Sequence, residues 1–65
     1  NPSYYRKNIE VTDFILEYDM GFAEGNVVKY IVRYPEKNGL EDLYKCRWYL
    51  NKIIEKKEQE QKNET

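Results

Sequence analysis

Lys29 and Arg33 stand four residues apart inside the run GNVVKYIVRY, residues 25–34, and are well suited to hold an anion. On a helix this spacing brings two side chains to one face, one turn apart. Arginine then supplies a planar fork for two oxygens of a phosphate, and lysine a mobile point charge. Asn26 lies one turn before Lys29 and extends the row, while Lys45 and Arg47 bring further positive charge from later in the chain. The plainer alternative is that all four cations are solvated surface charges beside an apolar stripe.

Other residue types widen the chemistry. Glu10 and Asp13, three residues apart, share one side of a helix, where they could bind a hydrated magnesium, hydrogen-bond a ribose or base, or clamp Arg33. The simpler reading gives them the favourable charge of a helix N-terminus. Tyr4, Tyr5, Tyr30, Tyr34 and Tyr49 offer rings for a nucleobase, a contact worth about 1–3 kcal/mol per base in known stacking sites. Core or subunit contacts account equally well for half of them, and packing is the expected role of Trp48.

Much chemistry is excluded. The sequence has no GxxxxGK[ST] loop, so a P-loop kinase is ruled out. With no histidine, neither Ser3 nor Cys46 has an imidazole base, and one cysteine leaves too few ligands for zinc, so no protein metal site is expected. Carboxylate, amine, guanidinium, amide and phenol remain, a set suited to phosphate binding.

The elements that must position these groups follow from periodicity. Val11, Phe14, Ile15 and Tyr18 fall at i, i+3, i+4 and i+7 and predict a helix over residues 10–18. Two glycines mark residues 19–25 as a turn whose apolar residues pack inward, with a second helix beginning near residues 22–26. As a strand, the run 25–34 would put both cations on one face with Val27 and Ile31. As a helix it gathers Val27, Val28, Ile31 and Val32 into an apolar stripe beside a Lys29–Arg33 row and a Tyr30–Tyr34 row. The helix separates the chemistry more cleanly, and the β-branched residues cost it only a few tenths of a kcal/mol each. Pro35 stops this second helix. Asn38 is the expected N-cap of the third helix, with Glu41 completing a capping box and Asp42 adding charge to the first turn. Leu40, Leu43, Cys46, Leu50, Ile53 and Ile54 continue that helix, and EKKEQEQKNET, residues 55–65, carries no apolar side chain.

The expected architecture is therefore all-α: one small three-helix domain over residues 1–54, with a polar helical extension over 55–65 that frays into a disordered tail. A 65-residue chain buries only about 60% of its unfolded surface. With one cysteine it has no internal disulfide, so self-association is the expected support, and seven tyrosines and a tryptophan suit such an interface. The net charge of −1 provides no global field for nucleic acid, the least favoured partner. No apolar run approaches the roughly 20 residues that span a bilayer, and NPSYYRKNIE has no signal-peptide core, so a soluble protein with no membrane partner is expected.

The order of the motifs adds a resemblance. PSYY at 2–5, IEVTDFI at 9–15, F-x-x-GNVVKYIVRY at 22–34 and EDLYKCRWYL at 41–50 resemble a family of small bacteriophage proteins labelled DUF3310, over about 50 of the 65 residues. The family pattern runs approximately HPxHY, IExxD, GNxxKYxxR and K-x-G-x-EDLxKAxxYL. Asn1 and Tyr4 stand where histidines are often found in the family. The pattern falls on Tyr5, Glu10, Asp13, Gly25, Asn26, Lys29, Tyr30, Arg33, Lys37, Asp42, Lys45 and Tyr49. The resemblance implies a phage origin and a host-cytoplasm location. A larger relative containing this domain is a coliphage kinase that phosphorylates deoxynucleoside monophosphates without a P-loop. Its domain directs the anion reading toward nucleotides; its activity is not carried over to so short a chain.

The expectation is a homo-oligomeric phage protein that binds a nucleotide or its phosphates through Asn26, Lys29, Arg33 and Lys45, with Tyr30, Tyr49, Glu10 and Asp13 as further contacts. Magnesium would enter only with the nucleotide. Two alternatives stand beside it: a deoxynucleoside monophosphate kinase assembled between subunits, and a counter-defence protein that sequesters a cyclic nucleotide or blocks a host defence protein.

Overall fold

A computed structural model describes residues 9–63. The chain forms α1 (Val11–Glu17), α2 (Phe22–Arg33), a short 3-10 turn (Tyr34–Glu36) and α3 (Leu40–Asn63), with no strand among the described residues. The all-α expectation holds.

Each helix end has a local cause. Glu10 caps α1, its carboxylate accepting the Asp13 backbone N–H at 3.1 Å. The same helix closes through two backbone bonds, Asp19 N–H to the Leu16 carbonyl at 3.0 Å and Met20 N–H to the Ile15 carbonyl at 3.1 Å. This double closure requires a left-handed residue, supplied by Asp19 at φ 55°. Aspartate tolerates that region less well than glycine, whereas glycine adds entropy to the unfolded chain. Asp19→Gly is expected to stabilise the fold by about 0.5 kcal/mol, read as a higher urea midpoint.

The α2 helix ends where Pro35 lacks an N–H, and Gly39, at φ +53°, turns the chain into α3 while donating to the Tyr34 carbonyl at 2.9 Å. The α3 start differs from the expected capping box. The helix begins at Leu40, and the carboxylate reaching back across the turn is that of Asp42, which accepts the Asn38 N–H at 3.1 Å. Asp42 is closer to the axis of packing than Glu41 because it lies one turn before the buried Cys46.

α2 and α3 pack as an antiparallel hairpin, and α1 lies against α2. Cys46 is buried in the hairpin, its thiol donating to the Val27 carbonyl at 3.6 Å. At the α1–α2 crossing Gly25 is buried, and a Cβ there would meet Ile15 Cγ2 at 3.0 Å. The principal extents, 53 × 27 × 13 Å, make the Cα framework flat.

Flatness corrects the expected stripe on α2. Ile31 and Val32 point away from the hairpin and are 49% and 48% exposed, while Lys29, Tyr30 and Arg33 are only half exposed or less. Asn26, expected on a polar row, is buried. Val27 and Val28, the first half of the stripe, are partly buried, so a thin array of three helices covers the start of the stripe and leaves its end open.

α3 runs to Asn63, with every residue from Ile54 onward exposed. Lys52–Glu55 at 3.7 Å and Lys57–Glu60 at 4.0 Å are exposed i, i+3 pairs of small worth. Removing residues 58–65 is expected to change stability by less than about 0.5 kcal/mol in chemical denaturation, the scale of surface changes away from special features.

Candidate anion-binding site

Helical spacing puts Tyr30 and Arg33 on the side of α2 facing the first half of α3, where the antiparallel hairpin brings Lys45 and Tyr49 opposite them, while Lys29, one turn after Gly25, reaches the Tyr30 ring from the side of α2 nearer Ile15 and Met20. The result is a cluster about one ring. Lys29 Nζ lies 4.5 Å from the Tyr30 ring centroid, the Arg33 guanidinium carbon 5.3 Å and Lys45 Nζ 5.7 Å. Tyr49 stacks on Tyr30 with centroids 6.1 Å apart and planes 16° from parallel. Phe22 and Trp48 then meet Tyr49 edge-on, at 5.8 and 5.1 Å. Each cation over the ring gains from its quadrupole, roughly 0.5–1 kcal/mol where exposed.

Three positive groups within this radius repel one another, and one carboxylate answers them. Asp42 Oδ2 accepts Arg33 Nε at 3.2 Å and also the Asn38 N–H. Asp42 is fully buried, and its other oxygen, Oδ1, has no hydrogen-bond partner among the described residues. Burial pushes the Asp42 carboxyl up, but the Asn38 amide and the Arg33 guanidinium together hold it below its ordinary value of 3.8. Among the described residues Lys29 and Lys45 make no ion pair, and the Nη groups of Arg33 make no hydrogen bond. The cluster can therefore accept an anion with the two lysines and the outer edge of the guanidinium, next to two stacked phenol rings.

Other expected site residues lie differently. Asn26 is buried and donates one Nδ2–H to the Phe22 carbonyl at 2.9 Å, one turn back on its own helix, so one of its two amide donors is occupied. Glu10 is engaged as the α1 cap, and neither it nor Asp13 bonds to the cation cluster among the described residues. The two acidic residues instead line a separate depression with Ile9, Phe14, Glu17 and Tyr18. Clamping of Arg33 does occur, but the acid is Asp42 rather than Glu10 or Asp13. Tyr4 and Tyr5 lie outside the described residues.

Residues 1–51 match the family described as a protein of unknown function, DUF3310. The chain belongs to the DUF3310 family. No curated protein and no solved structure matches it. In this DUF3310 chain the matched span ends within α3, just beyond Tyr49, and so includes every residue of the cluster. In the sequence Asp42 of this DUF3310 chain lies on the family pattern and adds charge to the first turn of α3, with no partner assigned to it. The signal for more was its place across the Pro35–Gly39 turn from Arg33, where a hairpin must bring the end of one helix to the start of the next.

Proposed function

We propose that this DUF3310 chain is a bacteriophage protein that binds a nucleotide, or the phosphates of one, at the cluster around Tyr30. The observation that carries the reading is the convergence of Lys29, Arg33 and Lys45 on a single ring with one carboxylate among them. Phosphates would meet the lysine ammonium groups and the guanidinium edge, and the Tyr30–Tyr49 pair offers an aromatic surface for the base. Calorimetric titration with each deoxynucleoside mono- and triphosphate tests it. Binding that weakens as salt rises supports the site, since exposed charges are screened; no heat with any of them refutes it.

Self-association belongs to the same proposal. Ile31, Val32, Trp48, Leu50 and Ile54 are 43–56% exposed, and among the described residues Cys46 is the only buried hydrophobic side chain. Folded domains pair layers around a core, and a second copy would provide the second layer to this 13 Å-thick array. Sedimentation at micromolar concentration is expected to show a dimer or larger species. A stable 8.0 kDa monomer would overturn that part. The same apolar side chains favour the alternative of a counter-defence protein seated on a host protein, in which case native mass spectrometry of infected cells would recover a mixed complex with no nucleotide.

A further inference from the structure

Among the described residues Arg33 is the one cation of the cluster paired with a carboxylate, and the manner of holding is specific. Asp42 Oδ2 takes Nε, the edge nearest the side-chain stem, at 3.2 Å, and leaves both Nη groups unbonded among the described residues. The carboxylate is itself fixed, because the same oxygen accepts the Asn38 N–H at 3.1 Å and the side chain is fully buried. Water cannot solvate Asp42 in place of Arg33, so releasing the guanidinium would leave a buried charge. The guanidinium carbon in this pose lies 5.3 Å from the Tyr30 ring centroid, in the same neighbourhood as the two lysines.

We propose that Asp42 is a positioning residue for the anion site: it grips Arg33 by Nε so that the Nη edge stays with Lys29 and Lys45 around Tyr30. The inference rests on the anion-binding reading above. It makes a prediction opposite in sign to simple electrostatics. Removing a negative charge beside a cationic cluster should by itself tighten anion binding. If Asp42 orients the fork, removing its charge weakens binding instead, because a freely rotating guanidinium must be ordered on association.

Inorganic tripolyphosphate, titrated calorimetrically into the full chain, separates the two. Asp42→Asn keeps an oxygen for the Asn38 N–H and replaces the ion pair to Arg33 Nε with, at most, a weaker neutral hydrogen bond. It is expected to bind about tenfold more weakly than wild type despite its higher positive charge, and to change affinity little when Arg33 is already alanine. The Arg33 Nε–H resonance of the unmutated protein supplies a measurement that does not depend on a variant folding. It is expected to exchange slowly and to stay in place as tripolyphosphate is added, while the Nη signals move. Tighter binding by Asp42→Asn, equal losses in both backgrounds, or an Nε–H that shifts with the anion would each overturn the positioning role while leaving the site standing. Absence of tripolyphosphate and nucleotide binding by wild type would overturn the site and the positioning role together.

Discussion

A chain carrying both Lys29→Ala and Lys45→Ala is expected to bind deoxynucleoside triphosphates at least about 100-fold more weakly than wild type, with its fold intact. Hydrogen bonds to charged groups contribute roughly 1.5–3 kcal/mol each, or about 10- to 150-fold in affinity, so two losses multiply to at least this scale. The lysines make the cleaner test because neither is paired with a carboxylate among the described residues; their partner is the Tyr30 ring. The loss of those ring contacts should cost the fold no more than about 1 kcal/mol each. Arg33→Lys, which keeps the charge and loses the fork, confounds the two quantities because Arg33 also holds buried Asp42. Thermal melting beside calorimetry resolves them: the lysine variant should lose at least about 100-fold in affinity while its melting temperature falls by no more than about 8–16 °C, and a single lysine variant by half that, whereas Arg33→Lys should lose some of both. Unchanged nucleotide affinity in the double lysine variant would return these residues to solvated surface charge.

Asp42→Ala is expected to lower the melting temperature by about 10 °C at neutral pH, a large effect for a small domain. The substitution removes the acceptor of the Asn38 N–H at the entrance to α3 and leaves Arg33 without its partner. It also leaves a void in the fully buried space of the carboxylate. The pH dependence separates the ionic part. The folded-state pKa of Asp42 is held below 3.8, so folding favours the ionised form, and that contribution is present at every pH above the unfolded value. It is lost as pH falls below 3.8 toward the folded value. The wild-type advantage over Asp42→Ala should therefore be flat between about pH 5 and 8 and shrink below about pH 4. Melting curves across this range read it directly; a gap that does not change with acid would assign the effect to packing alone.

What the sequence by itself determined was largely local. The apolar spacing of Val11, Phe14 and Ile15, the missing N–H of Pro35 and the uninterrupted pattern after Leu40 specify three helices and their approximate ends, because periodicity and capping act within a turn or two. The i, i+4 spacing of Lys29 and Arg33 likewise fixes that they share a helix side. Which side faces inward was not determined. The valine and isoleucine stripe looked like the core, yet only Val27 and Val28 are partly buried, Ile31 and Val32 are about half exposed, and Tyr30 and Arg33 meet Lys45 and Asp42 of α3. A single chain of three helices in a flat array has too few neighbours to cover every apolar side, and the choice of which to cover is made between helices. The meeting of Arg33 with Asp42, and of Tyr30 with Lys45 and Tyr49, was also decided only by tertiary structure. Each pair spans the Pro35–Gly39 turn, and its distance depends on how the hairpin closes and on the rotation of α3 about its axis, quantities that no local pattern encodes.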